Sequence, residues 1–561
     1  FFLLVAALLA HVLAASASGE VPQPPTAALA LEGGGFRAFS ADTGLFAGLL
    51  AALGQQEGEA APSLTSTGLL DHFGIISSVS GSSWFSAELI FSERFLELFQ
   101  GLATSPGTVA AQLNTSWTDP WLAATNIDEK KFSLLGALAR RLVRSELGSG
   151  DEDTIFLLSF FATTGFTWNH FVDLLLNSTA GINLERPLGS PSGDWARAKT
   201  WLIDHNVVLP TGGKVGRLFQ TSHLLPEVSY VAESSQAVPI YVPAMFTARL
   251  GEEGNCSAPL PYVASAGVKS LERFSYKGVV VPIFDEPHMA SAPLGADLAR
   301  GGVTQSACLL PVARVVAASS AFLGNLFLDG ALTDELTALL GGDLTPWISA
   351  APGGQAFAVA SKVVSGLAAS VNQNSVDALA AAAVHGVIDG GFSDGTGIAM
   401  AVAAGAQEVL VVLNSNATND PLYVELLFAD GPPHPIPSIP AALFPVFETP
   451  ASSVRTAFQN FHALNLPNGT TYLKVFTVGT IQATTADNKF FGIEQGRSVT
   501  INVVNIGTTL DIGPLESFNN YNVFAQEVVS AILDASNTAF VRGTLLPMVM
   551  GSGAKAAPVV V

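Results

Sequence analysis

The chain has 561 residues, enough for several domains or for one large α/β domain with insertions. Its 25 Lys and Arg against 46 Asp and Glu give a formal net charge of −21 at pH 7. Nucleic-acid-binding proteins gain affinity by neutralising phosphates with Lys and Arg, so this acidic balance excludes most of them. Only 13% of the residues are charged and the mean hydropathy is +0.41, so membrane segments have to be considered.

The first 19 residues form an apolar run, FFLLVAALLAHVLAASASG, that ends in the small residues accepted by signal peptidase. They predict a signal peptide over residues 1–17, with a truncated start because an initiator Met and a basic region are missing. An uncleaved membrane anchor is the alternative. A second uncharged run, residues 154–172, contains polar residues such as Asn169 and His170 and is more typical of a buried helix.

Export to the cell surface, the extracellular space or a vacuolar or other lumenal compartment would permit glycosylation and a disulfide. Five N-x-Ser/Thr triplets are candidate glycosylation sites, although chance alone supplies about this number: Asn114, Asn177, Asn255, Asn416 and Asn468. Cys256 and Cys308 are the only cysteines, so one bridge between them is a candidate and a thiolate-rich metal site is excluded.

Short apolar runs alternate with longer Ala- and Leu-rich stretches, which predicts an α/β fold. The first run, residues 27–31, reads as a buried strand, and residues 279–284 and 409–413 are similar. Seven prolines over residues 430–450 predict a long loop, either a linker or a lid, because that density is incompatible with a regular helix or a central strand. Residues 18–561 otherwise read as one continuous globular domain that includes this loop.

A glycine run follows the first predicted strand at once, in LEGGGFR over residues 31–37. Without a Cβ, glycine allows backbone N–H groups to approach a substrate atom closely and to adopt positive φ, as an oxyanion-binding loop requires. A tight strand-to-helix turn is the alternative. A nucleotide phosphate loop is disfavoured, because neither G-x-G-x-x-G nor a Gly-Lys-Ser/Thr ending is present.

Residues 75–84, IISSVSGSSW, run from an apolar segment through small residues into a predicted helix. This order is typical of a nucleophile elbow, where small neighbours at positions −2 and +2 let the chain bend sharply at the apex. Ser80 lies at the apex, and Ser78 and Ser82 occupy the positions where G-x-S-x-G has glycines. An ordinary serine-rich loop is the alternative for this pattern alone.

The third pattern, VIDGG over residues 387–391, ends a short apolar run with Asp389. In open α/β sheets ligands bind at the carboxyl ends of strands, which favours a chemical role for this carboxylate. A common Asp-Gly-Gly turn is the alternative, and Asp394 is a second candidate acid.

In this order the three motifs resemble the catalytic domain of group IV cytosolic phospholipase A2 and of the secreted fungal phospholipase B enzymes, relatives of the patatins. LEGGGFRA is similar to that family's oxyanion loop, LLDHFGIISSVSGSSW to its nucleophile segment and GVIDGG to its acid. Weaker similarity at residues 166–175 and 274–284 extends the resemblance over roughly residues 27–414. The resemblance implies a three-layer α/β fold with a central mixed sheet, helices on both faces and a cap or lid insertion.

The resemblance also implies a role for each matching residue. Ser80 would be the nucleophile and Asp389 the base of a Ser–Asp dyad, Gly34 and Gly35 would supply oxyanion amides, and Arg37 would hold the substrate phosphate. The implied activity is hydrolysis of phospholipid or lysophospholipid acyl esters at a membrane or micelle surface, with no cofactor or metal. The family usually has glycine at the position of Ser78, and a Cβ there is expected to tighten the elbow and to lower the activity.

The calcium-dependent targeting domain of the animal enzymes is not present in the 32 residues before Gly33, so calcium dependence is not expected. The acidic charge favours zwitterionic or lysolipid substrates, or work at acidic pH.

Two alternatives to the dyad enzyme remain. One is an α/β-hydrolase with a Ser–Asp–His triad that uses His434 or His462, since His385 reads as a turn or core residue. The other is a catalytically weak lipid-binding or storage protein on the same fold. The sequence does not predict an oligomeric state.

Overall fold

The computed structural model describes residues 26–125, 168–209, 240–251, 274–276, 279–281, 311–321, 349–351, 385–414, 417–433, 445–488, 491, 493–510 and 517–551. The strands are β1 (Ala27–Leu31), β2 (Ile75–Val79), β3 (Thr200–Leu209), β4 (Ile240–Arg249), β5 (Phe274–Tyr276), β6 (Val279–Val281), β7 (Ser349–Ala351), β8 (His385–Asp389), β9 (Glu408–Leu413), β10 (Phe428–Ala429), β11 (Phe447–Pro450), β12 (His462–Ala463), β13 (Leu473–Thr484) and β14 (Ser498–Thr508). The α-helices are α1 (Gly35–Glu57), α2 (Leu64–Thr67), α3 (Gly81–Phe91), α4 (Glu93–Thr104), α5 (Val109–Leu113), α6 (Asp119–Thr125), α7 (Trp168–Ala180), α8 (Val312–Ser319), α9 (Ile398–Ala403), α10 (Leu422–Glu425), α11 (Ala451–Gln459), α12 (Phe518–Leu533), α13 (Thr538–Phe540) and α14 (Leu546–Met550).

A ten-stranded mixed sheet organises the fold, and its five central strands are parallel in the order β14-β9-β1-β2-β3. Antiparallel strands extend both ends: β13 and β12 beyond β14, and β4, β8 and β7 beside β3. The apolar run that predicts a first strand is β1, and all five of its residues are buried, as parallel strands covered on both faces require.

Strands β2 and β8 meet end to end along one edge of β3. Strand β4 pairs with β3 over its whole length and so occupies the other edge. On the shared edge, parallel β2 ends opposite Asp204, and antiparallel β8 ends opposite His205. Since the two strands approach from opposite directions, their carboxyl ends meet at adjacent positions of β3.

Helices cover both faces of the sheet. In β2 the Ser77 hydroxyl donates to the carbonyl of Gly397, just before α9, at 2.9 Å, whereas the Ser78 hydroxyl lies 3.0 Å from that of Ser83 in α3. Successive side chains of a strand point to opposite faces, so α3 and α9 pack on opposite sides. The predicted α/β class, with a mixed sheet between helical layers, is confirmed.

Helix α1 is long and apolar enough to span a bilayer, and among the described residues it is the one helix that passes this test. In the structure it is a core helix, because 94% of its most apolar window is buried inside the protein. Its first turn is held by an aromatic cluster in which Phe36 lies 5.1 Å from Trp84 of α3 and 5.2 Å from Phe518 of α12, between ring centroids.

Some predictions fall partly or wholly outside the described residues. The signal peptide over residues 1–17 lies outside them, as do residues 434–444 of the Pro-rich segment. The prediction of a continuous loop over residues 430–450 is wrong at its end, where Phe447–Pro450 forms β11 and pairs with β10. A two-stranded ribbon tolerates proline at a strand terminus, because that position needs no further N–H donor.

Candidate active site

The meeting of β2 and β8 brings together the two side chains that end these strands. Ser80 follows β2 directly and Asp389 is the last residue of β8. The Ser80 Oγ donates a hydrogen bond of 2.6 Å to Asp389 Oδ2, although the two residues are 309 positions apart in the chain. The structure therefore places a hydroxyl and a carboxylate in the geometry that a nucleophile and its general base require.

Ser80 has the backbone conformation of a strained elbow. Its φ is 53° and its ψ is −123°, a region that non-glycine residues rarely adopt and that costs about 1–3 kcal/mol. The turn is held at its backbone, since the Ser80 amide donates to Ser319 Oγ of α8 at 3.2 Å. Helix α3 begins at the next residue, so the hydroxyl stands at the junction of strand and helix, as the elbow pattern predicts.

Two further donors hold Asp389 in place. Its Oδ1 accepts from the Gly391 amide at 2.8 Å, and its main-chain carbonyl accepts from Asn206 Nδ2 at 2.6 Å. Burial raises the pKa of Asp389 to about 7, and the hydrogen bonds from Ser80 and Gly391 oppose that rise. A carboxylate with a pKa near neutrality is matched to general-base catalysis.

The glycine loop lies directly against the elbow. A Cβ on Gly33 would come within 3.0 Å of the Ser80 Cβ, and a Cβ on Gly81 would lie 2.1 Å from the Gly35 carbonyl oxygen. Gly34 and Gly35 have φ values of 148° and 56°, which side chains disfavour. Helix α1 begins at Gly35, close to the elbow, and the first amides of a helix have no intrahelical acceptor.

Arg37 is half-buried in the first turn of α1 and is oriented by Asn414, the residue after β9. Its Nε donates to Asn414 Oδ1 at 2.9 Å, and Asn414 Nδ2 in turn donates to the carbonyls of Glu32 and Gly33 at 3.1 and 3.0 Å. Burial raises the pKa of Glu32 to about 7, and the nearby Arg37 charge opposes that rise. Asn414 thus joins the guanidinium to the glycine loop.

The alternative acid Asp394 is bonded to the chain segment at the start of α9 and not to Ser80. Its Oδ1 accepts from the amide and hydroxyl of Thr396 at 3.0 and 2.6 Å, and its Oδ2 accepts from the Ala399 amide at 2.6 Å. The bond from Ala399 satisfies one amide in the first turn of α9, and the bonds from Thr396 hold the turn that precedes the helix, so Asp394 acts on the start of α9 in the manner of a capping residue.

The candidate triad histidine His462 lies far from Ser80. It is exposed on β12, the outermost strand, and its ring stacks on Phe540 at 3.8 Å between centroids. Five strand spacings separate β12 from β2, which is about 24 Å at 4.8 Å each. The structure does not bring these residues together, and His434 lies outside the described residues.

Ser78, where the resembling family has glycine, fits the elbow without crowding. It is fully buried, and its hydroxyl accepts from the Trp201 indole at 2.9 Å and contacts the Ser83 hydroxyl. The side chain therefore supplies an acceptor that the buried Trp201 N–H needs.

Several residues of the site were not found from the sequence. Asn414 follows a predicted strand, VVLN, so its place at a carboxyl end was a usable signal. Asn206 and Ser319 carry no such signal, because their roles depend on pairing between distant segments. Within the described ranges no three His, Cys, Asp or Glu side chains are arranged to hold a metal ion.

The candidate modification sites differ in accessibility. Asn468 lies in an exposed turn, whereas both polar atoms of the Asn114 side chain are bonded, to Asn519 and Asn522, each at 2.7 Å. Asn177 is exposed on α7 and donates to the Ile182 carbonyl at 3.1 Å. The remaining candidates lie outside the described residues: Asn255, Asn416, Cys256 and Cys308.

Fold and site together define an α/β protein with a serine–carboxylate pair at the carboxyl edge of its sheet. No protein-family model matches the chain, and no curated protein matches it. Among solved structures it is similar to human GIVD cytosolic phospholipase A2, with 11% identity and a TM-score of 0.39. That likeness covers 94% of this chain, which spans 63% of the other chain's length.

Proposed function

We propose that this protein is a calcium-independent phospholipase or lysophospholipase that works through a Ser80–Asp389 dyad. The observation that carries the proposal is the 2.6 Å hydrogen bond from a serine in a strained elbow to a carboxylate with a pKa of about 7. The glycine loop against that serine and the arginine beside the loop support acyl transfer on a phosphate-bearing substrate. The motif resemblance to phospholipases A2 and B points to the same chemistry.

The proposed reaction proceeds in two halves. Asp389 accepts the Ser80 proton as Oγ attacks the acyl carbonyl, and the amides of Gly34 and Gly35 stabilise the tetrahedral oxyanion. The ester bond then breaks, and the lysolipid oxygen leaves with the proton from Asp389. In the second half Asp389 deprotonates a water that attacks the acyl-serine; the bond between the acyl carbon and Ser80 Oγ then breaks, Asp389 returns the proton to Oγ, and the fatty acid is released. Arg37 holds the phosphate of the head group throughout.

The experiment is fatty-acid release from phosphatidylcholine and lysophosphatidylcholine vesicles or micelles by purified protein in excess chelator. We expect release by the wild type and its loss in Ser80→Ala and Asp389→Ala. His462→Ala is the matched control, because the exposed ring lies far from Ser80, and it should retain the wild-type rate.

Each other outcome points to a specific alternative. Retention of the rate in Asp389→Ala would place the base elsewhere, and dependence on His434 or His462 would establish a triad. Release abolished by chelator and restored by calcium would contradict calcium independence. A folded wild type that releases no acid from any acyl ester would favour a lipid-binding or storage protein.

We also propose that the protein enters the secretory pathway through residues 1–17. The support is the apolar run with its small-residue ending and the exposed Asn468 sequon. Expression in a secreting eukaryotic cell should yield a product that begins near residue 18 and that loses mass on glycosidase treatment, with Asn468→Gln reducing the loss. Retention of residues 1–17 in a membrane fraction would favour the anchor.

A further inference from the structure

The hydroxyl of Ser82, two residues after the nucleophile, lies between two oxygen atoms. Its Oγ is 2.6 Å from the main-chain carbonyl oxygen of Glu32 and 2.5 Å from Oδ2 of Asp42. Glu32 immediately precedes the glycine loop, and Asp42 projects from the second turn of α1. The three residues therefore join β1, α1 and α3 next to the candidate oxyanion site.

The two short contacts of Ser82 Oγ can be assigned by counting the hydrogens that its hydroxyl and its two oxygen partners supply. A hydroxyl has one hydrogen, a carbonyl can only accept, and an ionised carboxylate can only accept. If Asp42 were ionised, one of the two short O···O contacts would have no hydrogen between its atoms. A protonated Asp42 removes the conflict: it donates to Ser82 Oγ, and Ser82 donates to the Glu32 carbonyl.

The surroundings of Asp42 support the same protonation state. The residue is 1% exposed, and the charge that acts on it is the like charge of Glu32. Ser82 belongs to α3, and the one ionisable side chain of that helix is Glu88. Glu88 is bonded elsewhere, because it accepts from Trp117 and Thr179 at 2.8 and 2.6 Å. Burial and the Glu32 charge both raise the pKa of Asp42 well above its usual range, and the Ser82 hydrogen bond only partly opposes them.

We propose that Asp42 is a positioning residue that, as a neutral carboxylic acid, uses Ser82 as a relay to lock the Glu32 carbonyl and hence the glycine loop. The Glu32 carbonyl also accepts from Asn414, and the next amide, that of Gly33, donates to the Gly395 carbonyl at 2.9 Å. The peptide between Glu32 and Gly33 is thus held at both its oxygen and its nitrogen. The position of the proton on Asp42 does not depend on the proposed function. The expected effect of Asp42 on catalysis rests on that function.

Asp42→Asn and Asp42→Ala separate this role from general packing. The Asn amide keeps a donor for Ser82, so we expect Asp42→Asn to retain kcat within about threefold. Asp42→Ala leaves Ser82 without its donor and loosens the loop, and misplacement of this kind lowers kcat by roughly tenfold to a hundredfold with KM nearly unchanged. Equal losses in both variants, or no loss in Asp42→Ala, would overturn the proposal.

Two measurements test the role of Asp42 without relying on an enzymatic assay. Other buried acids also contribute carboxylic-acid carbonyl bands at neutral pH, so the readout is the infrared difference spectrum between the wild type and Asp42→Asn. That difference should contain one carboxylic-acid band that the variant loses, and a difference spectrum without such a loss would overturn the proton assignment. Amide hydrogen exchange in a peptide covering Glu32 to Arg37 should accelerate in Asp42→Ala and stay slow in Asp42→Asn. If the wild type released no fatty acid, the proposed function would fail while these two readouts still tested the relay.

Discussion

At the residue scale, the site contains buried carboxyl groups of similar burial and different purpose. Asp389 is exposed by 4% and Asp394 by 3%, and burial raises the pKa of both. Their donors differ: Asp394 accepts from Thr396, just before α9, and from Ala399 in the first turn of α9, whereas one oxygen of Asp389 is bonded to Ser80. The role of each acid follows from its hydrogen bonds rather than from its pKa.

The pKa of Asp389 predicts the pH dependence of the proposed reaction. A general base acts only when ionised, so kcat/KM should fall about tenfold per pH unit below about 7 and level off above it. Of the two alternatives that the acidic charge leaves, the pKa of Asp389 therefore favours activity near neutral pH, on zwitterionic lipids, over activity at acidic pH. Initial rates between pH 5 and 9 on micelles of one zwitterionic lysophospholipid test this pH dependence, and a maximum near pH 5 would contradict it.

Ser78→Gly restores the residue that the resembling family has at the −2 position. We expect a loss of stability of about 1–3 kcal/mol and no gain in rate, because the buried Trp201 N–H would lose its acceptor. Thermal unfolding, together with fatty-acid release, provides the measurement. A faster enzyme of unchanged stability would show that the serine side chain does obstruct the elbow.

At the element scale, the site depends on strand ends and a helix start that converge on one point. Strands β2 and β8 approach each other along β3, and α3 begins where β2 ends. The first residue of α3, Gly81, packs on the backbone of Gly35 at the start of α1. The close approach of these two helix starts sets the distance between the nucleophile and the glycine loop.

Gly81→Ala tests that approach. An added Cβ would lie 2.1 Å from the Gly35 carbonyl oxygen, and backbone cannot yield as a flexible side chain can. We therefore expect activity to fall by at least tenfold and the unfolding temperature to drop by several degrees. Gly543→Ala is the matched control, because nothing lies within 4 Å of its Cβ position. It should leave the activity unchanged and should not lower the unfolding temperature, since alanine is the better helix former in this helical segment. Equal activities and equal unfolding temperatures for Gly81→Ala and Gly543→Ala would refute the packing argument.

At the scale of the whole molecule, the net charge of −21 would govern the encounters with lipid surfaces that the proposed function requires. Charge of that size repels anionic bilayers over about one Debye length, roughly 10 Å at 0.1 M salt. Fatty-acid release at low ionic strength should be faster from zwitterionic vesicles than from vesicles that contain anionic lipid, and added salt should narrow the difference. Faster release from the anionic vesicles would indicate a local basic surface that dominates over the net charge.

The sequence by itself determined the local features of this protein. The strand before the glycine loop, the serine elbow and the acid at the end of β8 lie where their patterns predict. Each depends on a few consecutive residues: an apolar run, small residues that allow a sharp bend, and glycines that allow positive φ. Such short-range constraints can be read before any tertiary contact is known.

Tertiary structure alone decided how those pieces combine. The pairing of β2 and β8 on one edge of β3, the Arg37–Asn414 bond and the Asp42–Ser82–Glu32 contact join residues 40 to 377 positions apart. The raised pKa of Asp389 likewise depends on burial by distant segments. Separations of this kind leave no periodic signal in the chain, because hydrogen bonding and desolvation depend on distance in space and not on distance in sequence.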